Sequence, residues 1–322
     1  MSAAGGDAAG AAGRVPLGTW PTPLEPAPRL AAAIGLDHLW LKRDDLGGLG
    51  GGGNKVRKLE VICAEAVAAG ATTLITTGAA QSNHARLTAA AAARLGLRAV
   101  LVLAGDQPPD TRGNLVLDGL AGAEVAWAGH VPLEGMADEA DRQARRVRDA
   151  GGVPWVIPLG GSTPSSARAY ADCGAELLRQ LPDVAHVVVA LGSGGTAAGL
   201  VAALGPERVL AVDVGALADP AGRLAELIDG MPGGAAVGAV RRDALRVDRD
   251  QVGAGYETLT PAAREALLLA ARTEGVFLDP TYTARAMAAL VAHVADGRIA
   301  RAAPTVLLHT GGLPSLFAHP GL

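Results

Sequence analysis

The chain has 322 residues and a formal net charge of −4, and 49% of its residues are hydrophobic. This length and hydrophobic content suffice for two domains or one large α/β unit. The weakly acidic balance argues against nucleic acid as a partner, because nucleic-acid-binding proteins present a basic face. No stretch approaches the roughly 20 consecutive apolar residues of a membrane span, so we expect no membrane partner.

The first elements are predicted from composition along the chain. Residues 1–13 are rich in alanine and glycine without any hydrophobic period, and we predict a disordered tail. A proline-rich extended arm then precedes a helix at 29–34. From Leu39 onward, short β-branched runs alternate with helical patterns. The predicted strands are Leu39–Lys42, Thr73–Thr77, Ala99–Leu103, Val153–Ile157, Val184–Ala190, Val209–Val212 and Val306–Leu308.

The alternation of strands and helices predicts an α/β fold with parallel sheets covered by helices, because the strand runs are apolar throughout. Two of the predicted helices end at Gly70 and Gly96. The segment 230–258 is rich in glycine, arginine and aspartate, and we predict a surface excursion there. Cys63 and Cys173 cannot build a disulfide framework, which favours a reducing, cytoplasmic location.

The 44 glycines are more than an ordinary globular chain contains, and they show no collagen-like period. Several lie where a predicted strand turns into a helix, at the carboxyl end of the strand, where open α/β sheets bind ligands. A glycine there lets the backbone approach a ligand, although a tight turn explains any single cluster equally well. The clusters are Gly47–Gly53, Gly151–Gly161, Gly192–Gly199 and Gly311–Gly312.

The turn at 192–197 follows a predicted strand and opens a predicted helix. The N–H groups of a helix N-terminus and the helix dipole both favour a bound phosphate. The same residues match the Gly-x-Gly-x-x-Ala fingerprint of dinucleotide-binding proteins, and Asp213 stands where the ribose-binding acid is expected. A phosphate cradle and a dinucleotide-binding module therefore both remain open from this motif alone.

Lys55 lies in a glycine-flanked turn at the predicted start of a helix. The next residue is Val56, so the hydroxyl that binds magnesium in a nucleoside-triphosphate loop is missing. A lysine at a helix N-terminus is disfavoured as a cation, and nearby Arg57 and Lys58 are expected to add to this effect. Two interpretations remain, an amine freed to attack a carbonyl or a solvated basic turn.

A polar run of four residues, Gln81, Ser82, Asn83 and His84, follows one predicted strand and precedes a helix. Such side chains cap helices, but several in sequence at the end of a strand also suit recognition of a polar ligand. We give His84 no catalytic role. The seven histidines show no metal-ligand spacing, so we expect no metal site.

Three long segments carry a family resemblance: LKRDDLGGLGGGGNKVRKLE, TGAAQSNHARLTAAAAARLG and RGNLVLDGLAGAEV. They resemble the D-cysteine desulfhydrase/1-aminocyclopropane-1-carboxylate (ACC) deaminase family of pyridoxal 5'-phosphate (PLP) enzymes. The likeness continues through LGSGGTAAGL, GAGYETLT, LDPTYTARAM and LLHTGGLPSLFA, and it covers the chain from about Leu17 to Ala318 in family order. It implies the α/β architecture of PLP fold type II, which is tryptophan synthase β-like, with two open-sheet α/β domains and PLP in the cleft.

The resemblance implies a role for each motif. Lys55 would carry PLP on its amine and transfer protons during catalysis. Asn83 would donate to the phenolic oxygen of PLP, and together with Gln81 and Ser82 it would bind the substrate carboxylate. Ser82 would also relay protons. The PLP phosphate would be held by Gly192, Ser193, Gly194, Gly195 and Thr196.

Tyr256 and Tyr282 correspond to the two catalytic tyrosines of the family, with packing at a helix edge as the alternative. The deaminases carry Glu after the second tyrosine and Leu in the later His-x-Gly-Gly turn, whereas this chain has Thr283 and Thr310. Thr310 would hydrogen-bond the pyridine nitrogen of PLP without holding a proton there, which implies a weaker electron sink. Such a sink suffices for β-elimination, so the resemblance points to desulfhydrase chemistry.

The chain also departs from the family pattern. The loop Gly160–Ser166 differs from the family's Gly-Gly-Ser-Asn sequence, and its Ser162 and Thr163 would contact the substrate. The leaving group therefore stays open between a thiolate and a group such as the sulfonate of cysteate. The family's Tyr-Thr-Gly-Lys ends here in Ala284 and Arg285.

These observations predict a large PLP-binding domain formed by 14–46 and 165–322 and a small domain at 47–164. The predicted reaction is a PLP-dependent α,β-elimination on a small β-substituted amino acid, with D-cysteine converted to pyruvate, ammonia and sulfide. The alternatives are a PLP lyase or deaminase acting on L-cysteate, ACC or a specialised-pathway amino acid, and a dinucleotide-binding module. From the family we expect a homodimer whose ligand is a small amino-acid substrate.

Overall fold

A computed structural model of the chain describes residues 13–131, 133–256 and 258–321. Except for Gly13, the predicted tail at 1–13 lies outside the described residues. The described strands are β1 (Leu24–Pro26), β2 (Leu39–Arg43), β3 (Thr73–Gly78), β4 (Arg98–Leu103), β5 (Glu124–Trp127), β6 (Pro154–Ile157), β7 (His186–Leu191), β8 (Val209–Asp213), β9 (Arg246–Asp248) and β10 (Thr305–His309).

The helices form where apolar residues recur at helical spacing, and many of them begin or end at capping side chains or glycines. No helix of the described ranges is both long and apolar enough to cross a membrane. The described helices are α1 (Pro28–Ile34), α2 (Lys55–Ala68), α3 (Asn83–Leu95), α4 (Asn114–Leu120), α5 (Ala137–Asp149), α6 (Pro164–Gln180), α7 (Gly195–Leu204), α8 (Pro220–Asp229), α9 (Pro261–Glu274), α10 (Thr283–Ala295) and α11 (Leu313–Leu316).

The chain divides into two compact units. The small unit contains the described residues up to Gly18, together with Gly48–Gly50 and Lys55–Gly161. The large unit contains Thr19–Gly47, Gly51–Asn54 and the described residues from Ser162 onward. The domain boundaries drawn from the sequence stay a prediction.

The small unit is built on a parallel four-stranded sheet in the order β5-β4-β3-β6. The central strand β3 is buried along its whole length, as its apolar sequence requires. Helix α5 covers one face, where Ala140 and Ala144 pack with Ile75 and Val102. The carboxyl end of β3 leads directly into the polar turn before α3.

The large unit contains a six-stranded sheet in the order β1-β2-β10-β7-β8-β9. Strand β7 is covered on both faces, because Val188 and Ala190 belong to one apolar cluster while Val187 and Val189 belong to another. The first cluster includes residues of α1, α9 and α10, and the second includes residues of α6, α7 and α8. This is a doubly covered α/β sheet.

All seven strands predicted from the sequence are present, but the expectation of purely parallel sheets is wrong at one edge. Strand β1 pairs antiparallel with β2, whereas the other pairs of this sheet are parallel. Its Pro26 has no N–H to donate, which suits an edge position. The predicted surface excursion at 230–258 is also partly wrong, because β9 extends the sheet beside β8.

Candidate active site

Lys55 is the first residue of α2 in the small unit, and the residue as a whole is half-buried. Burial of the amine lowers the pKa of Lys55 to about 8, whereas its hydrogen bond with Lys58 acts in the opposite direction. The expectation that the charges of Arg57 and Lys58 also help to free the amine stays a prediction. A pKa near 8 leaves a substantial neutral fraction at neutral pH, which a nucleophilic amine requires.

Two buried groups lie beside this amine. Lys58 donates to the carbonyl of Gly160, and burial together with the charges of Lys58 and Lys55 holds the pKa of His84 well below its usual value. His84 is therefore neutral at physiological pH. A Cβ on Gly161 would lie 2.7 Å from Cε1 of His84, so glycine is required where this turn meets the imidazole.

The polar run at 81–83 lies where β3 leads into α3, and Asn83 is the first residue of that helix. A Cβ on Gly78 would lie 2.6 Å from the Ser82 side chain, so the strand ends in glycine where the chain folds back. Ser82 is the N-cap of α3, and its Oγ accepts from the Ala85 N–H at 3.1 Å. The capping interpretation of this motif is thus correct for Ser82, whose catalytic role stays a prediction.

The side chains of Gln81 and Asn83 are tied to the segment at the start of α4. Gln81 donates from Nε2 to the Arg112 carbonyl at 3.1 Å and accepts at Oε1 from the Asn114 N–H at 2.9 Å. Asn83 Oδ1 accepts from Asn114 Nδ2 at 3.2 Å and from an Arg86 guanidinium N–H at 3.4 Å. The structure thus brings the two predicted ligand-binding residues together around Asn114.

Two ionisable side chains of the small unit, Arg86 and Asp118, are almost fully buried. Arg86 donates to the Gly50 carbonyl, and burial lowers the pKa of Arg86 to about 10, against the opposing effect of Asp118. Burial also raises the pKa of Asp118 to about 7, although the charge of Arg86 acts to lower it. Neither carboxylate oxygen of Asp118 has a hydrogen-bond partner among the described residues. The sequence carried no local signal for this pair.

The glycine loop at 192–196 lies in the large unit, where β7 passes into α7. Gly194 precedes the helix with a φ of +93°. A Cβ on Gly194 would lie 3.1 Å from Leu227, and one on Gly192 would lie 3.2 Å from the Tyr282 ring. The positive φ of Gly194 favours glycine there, and the loop packs tightly against Leu227 and Tyr282.

Three hydroxyl groups surround this loop. Ser162 Oγ accepts from the Gly195 N–H at 3.1 Å and shares a hydrogen bond with Ser193 Oγ at 2.8 Å. Thr196 Oγ1 accepts from Asn54 Nδ2 at 2.9 Å. The sequence assigned Ser162 to the substrate, and the structure places it beside the predicted phosphate loop.

Thr163, the other predicted substrate contact in this loop, is the N-cap of α6. Its Oγ1 accepts from the Ser166 N–H at 3.0 Å, and Ser166 Oγ accepts in return from the Thr163 N–H at 3.0 Å. This reciprocal capping box explains the residue on structural grounds. Its role towards a substrate stays a prediction.

Tyr256 and Tyr282 contact each other in the large unit. Their hydroxyls share a hydrogen bond, and their rings pack edge to face with centroids 5.9 Å apart. Tyr282 immediately precedes α10, and its N–H donates to the buried Asp279 at 2.9 Å. The two tyrosines named from the sequence therefore form one unit, which packing at a helix edge alone does not explain.

Sequence reasoning missed the group that holds the Tyr256 loop. Arg285 is 0% exposed and donates to four carbonyl oxygens, at distances of 2.6–3.0 Å. Burial lowers the pKa of Arg285, while Asp279 and Tyr256 act in the opposite direction. The only signal in the sequence was that arginine replaces the lysine of the family motif. The four carbonyls belong to Val214, Gly255, Tyr256 and Thr258.

Thr310 lies in a closely packed backbone region of the large unit. Its carbonyl accepts from the Asn54 N–H at 2.9 Å, and the residue is 8% exposed. A Cβ on Gly311 would lie 2.9 Å from the Cα of Gly53, so the two glycine segments pack backbone against backbone. Two glycine clusters that are far apart in the sequence thus meet beside Thr310.

The rival dinucleotide interpretation required a free carboxylate at Asp213. This residue is 0% exposed, and its Oδ1 accepts from the Gly215 N–H at 2.8 Å. Its Oδ2 lies 3.3 Å from Arg249 Nε. The carboxylate is therefore used within the fold, which speaks against a ribose-binding role.

The residue types described above fit PLP. A lysine of lowered pKa suits the PLP aldehyde, and a glycine loop at the N-terminus of a ten-residue helix suits the PLP phosphate. Residues 15–311 match the family described as pyridoxal-phosphate dependent enzyme, and the chain belongs to this family. The predicted cofactor is thereby confirmed.

The particular relatives sharpen this assignment. The chain is 39% identical over 318 residues to a D-cysteine desulfhydrase of Klebsiella pneumoniae (strain 342), covering 94% of this chain and 95% of that protein. A D-cysteine desulfhydrase of Salmonella choleraesuis (strain SC-B67) is 38% identical over 318 residues, covering 93% and 94%. The predicted family resemblance is confirmed.

Solved structures agree with the fold. A crystal structure of an ACC deaminase homologue has a TM-score of 0.84 and 33% identity, covering 96% of this chain and 94% of that chain. The structure of O-ureido-L-serine synthase has a TM-score of 0.66 at 19% identity, covering 92% of this chain and 90% of that chain, and it shows the fold alone. The predicted fold type II class is confirmed.

Proposed function

We propose that this PLP-dependent enzyme catalyses α,β-elimination on a small β-substituted amino acid, with D-cysteine as the leading substrate. The products would be pyruvate, ammonia and sulfide. The observation that carries the proposal is the similarity to D-cysteine desulfhydrases, at 39% identity over 94% of the chain.

Lys55 is the residue proposed to hold PLP and to move the substrate Cα proton. Its lowered pKa supports both tasks, because the same amine must lose a proton to attack and regain one to act as an acid. When bound, PLP supplies the electron sink for loss of the Cα proton. Neutral His84 beside Lys55 adds no competing cation.

The N–H groups at the start of α7 are proposed to bind the PLP phosphate. Ser193 and Thr196 add hydroxyl groups there, and Ser162 orders the loop through the Gly195 N–H. Thr310 is proposed to hydrogen-bond the pyridine nitrogen. These groups orient the cofactor and supply no proton to the substrate.

The polar turn at 81–83 is proposed to bind the substrate carboxylate. Ser82 is well placed for an anion, because it stands at the N-terminus of the 13-residue helix α3. Gln81 supports the turn through its contacts with Arg112 and Asn114. The proposed role of Asn83 is to donate to the phenolic oxygen of PLP.

The hydrogen-bonded pair of Tyr256 and Tyr282 is proposed to protonate the departing thiolate. Each hydroxyl carries one proton, and the contact between them keeps the two proton-bearing groups side by side. The neighbouring Thr283 donates its hydroxyl to Asp279 Oδ1 at 2.7 Å. This position thus carries a neutral, internally bonded side chain where the deaminase branch has a carboxylate, which supports elimination over cyclopropane opening.

The proposal is tested by incubating PLP-loaded protein with D-cysteine, L-cysteine, L-cysteate, β-chloro-D-alanine and ACC, and by measuring the 2-oxoacid released. We expect pyruvate and equimolar sulfide from D-cysteine, and no release by Lys55→Ala. Formation of 2-oxobutyrate from ACC would contradict the branch assignment. Pyruvate from L-cysteate instead of D-cysteine would support the sulfonate alternative raised by the 160–166 loop.

We also propose a cytoplasmic homodimer. The family resemblance supports the dimer, and two buried cysteines that form no disulfide support the location. Burial raises the pKa of Cys63 to about 12, so its thiol is a poor nucleophile. Light scattering of the purified protein should give twice the chain mass of 32.2 kDa, and a single-chain mass would refute the dimer.

A further inference from the structure

Asn114 is a buried residue of the small unit that contacts both ends of the Gln81–Asn83 turn. Its backbone N–H donates to Gln81 Oε1 at 2.9 Å, and its Nδ2 donates to the Gln81 carbonyl at 2.9 Å. The same Nδ2 donates to Asn83 Oδ1 at 3.2 Å, and Asn114 is 0% exposed. One side chain thus supports two residues of the proposed site across more than thirty positions of sequence.

The partners of Asn114 leave its amide only one favourable orientation. The Gln81 carbonyl can only accept, so Asn114 must turn its Nδ2 towards it. The second N–H of that nitrogen then faces Asn83, which must accept the hydrogen bond with its Oδ1. Asn114 Oδ1 is buried and has no hydrogen-bond partner among the described residues. The observed orientation therefore leaves this oxygen unpaired but keeps both hydrogen bonds that Nδ2 donates.

Arg86 restricts the Asn83 amide from a second direction. A guanidinium can only donate, and an Arg86 N–H lies 3.4 Å from Asn83 Oδ1. Two donors therefore surround this oxygen, and a flipped amide would place its N–H groups against both of them. The Nδ2 group of Asn83 is left pointing away from Asn114 and Arg86, as a donor for another acceptor.

We propose that Asn114 is a positioning residue that orients the Asn83 amide so that its Nδ2 donor faces the phenolic oxygen of PLP. This rests on the proposed function, which assigns Asn83 to that oxygen. Arg86 contributes to the same orientation, and Asn114 acts on the cofactor only through Asn83.

The test compares PLP affinity in wild type, Asn114→Asp, Asn83→Ala and the double variant. Apoprotein is titrated with PLP, and binding is followed by the visible absorption of the bound cofactor. The carboxylate introduced by Asn114→Asp has no N–H to donate, so we expect Asn83 to turn its oxygen outward and PLP to bind about tenfold more weakly, the equivalent of one hydrogen bond. In the Asn83→Ala background, Asn114→Asp should change the affinity by less than about twofold.

A second readout separates positioning from structural support. A phenolic oxygen that has lost its donor holds a proton more tightly, so the pH midpoint of the PLP absorption change should rise in Asn114→Asp and in Asn83→Ala alike. Val116→Ala, at an exposed position of the same helix, is the matched control and should leave affinity and midpoint unchanged. Asn114→Ala, which removes the donor without adding charge, replaces Asn114→Asp if the latter does not fold.

PLP binding by wild type tests the proposed function, and PLP binding by the Asn114 variants tests the role of Asn114. Wild-type protein that fails to bind PLP would overturn the proposed function and with it the inference. Normal PLP binding by wild type, with unchanged affinity and pH midpoint in both Asn114 variants, would overturn the inference alone. Equal losses from Asn114→Asp in the presence and absence of the Asn83 side chain would also overturn it, because Asn114 would then act independently of Asn83.

Discussion

Two loops that carry proposed site residues are supported in different ways. In the small unit, the Gln81–Asn83 turn is held mainly by amide groups of Asn114, which act on side-chain orientation. In the large unit, the Tyr256 loop is held by the buried cation of Arg285, which binds backbone carbonyls. Amide networks select which atom faces a ligand, whereas a buried cation determines where the backbone lies.

The largest effect should come from breaking the support in the large unit. Arg285→Met removes the side-chain donor of four carbonyl oxygens, although the Gly255 carbonyl keeps a further donor, the Thr258 N–H at 3.3 Å. We therefore expect the free energy of unfolding to fall by about 3 kcal/mol. Chemical denaturation of wild type and variant measures this change. Arg285→Lys, which keeps the charge but not the fork of donors, should recover only part of the loss. A change below about 0.5 kcal/mol for Arg285→Met would show that the carbonyls do not depend on this side chain.

The tyrosine pair itself should matter for turnover more than for folding. Tyr282→Phe removes one of two bonded hydroxyls, and we expect kcat for elimination from D-cysteine to fall about 100-fold, the usual size of a lost general acid. The effect should be smaller with β-chloro-D-alanine, whose chloride departs without protonation.

Tyr170→Phe is the control for the tyrosine prediction, since Tyr170 is fully buried and bonded to Asp44. We expect it to lower stability while kcat stays near that of wild type. An equal loss of kcat with both substrates in Tyr282→Phe would refute protonation of the leaving group.

The small unit contains a buried carboxyl group, Asp118, whose contribution to stability should depend on pH. The raised pKa of Asp118, about 7 against an ordinary value of 3.8, means that the folded state holds a proton which the unfolded chain releases. This contribution to stability is present below about pH 4 and is lost as pH rises through 7. Between pH 5 and pH 8, the free energy of unfolding of wild type should therefore fall by about 2–3 kcal/mol relative to that of Asp118→Asn.

Denaturation curves of both proteins at several pH values provide the check on Asp118. Parallel pH profiles for wild type and Asp118→Asn would mean that the carboxyl does not titrate in this window. The two loops would then differ less than proposed, because charge would play no part in the small unit.

The smallest effect concerns the pH dependence of PLP uptake. With a pKa of about 8, the neutral fraction of the Lys55 amine rises about eightfold between pH 6.5 and 7.5 and levels off above pH 9. The rate at which apoprotein acquires the visible PLP band should follow this curve. A rate that keeps rising tenfold per pH unit up to pH 10 would indicate an ordinary lysine.

The parts of the site that could be predicted from the sequence are those with a local pattern. Lys55 and the loop at 192–196 combine glycines with a helix start, and the family motifs add Tyr256 and Tyr282. The central strands could be predicted as well, because their apolar runs are continuous. The short edge strands β1, β5 and β9 lack such runs and were missed.

The supporting residues could not be predicted, because their partners are distant in the chain. Asn114 contacts Gln81 across 33 positions, and Arg285 contacts Val214 across 71. Asn114 and Asp118 lie in a segment that carries the family resemblance, but nothing in that segment assigned either of them a role. Only the folded structure shows that both are buried and that Asn114 supports the turn.

The most direct test of the account asks which lysine carries PLP. The chain has only three lysines, and two of them are buried and bonded elsewhere, Lys42 to Glu176 and Lys58 to the Gly160 carbonyl. Borohydride reduction of the PLP-loaded protein fixes the cofactor on the amine that holds it, and peptide mass spectrometry then locates it. We expect the modification on Lys55 alone, with loss of the visible band. Modification of Lys58, or no modified lysine in a protein that releases pyruvate from D-cysteine, would contradict the account.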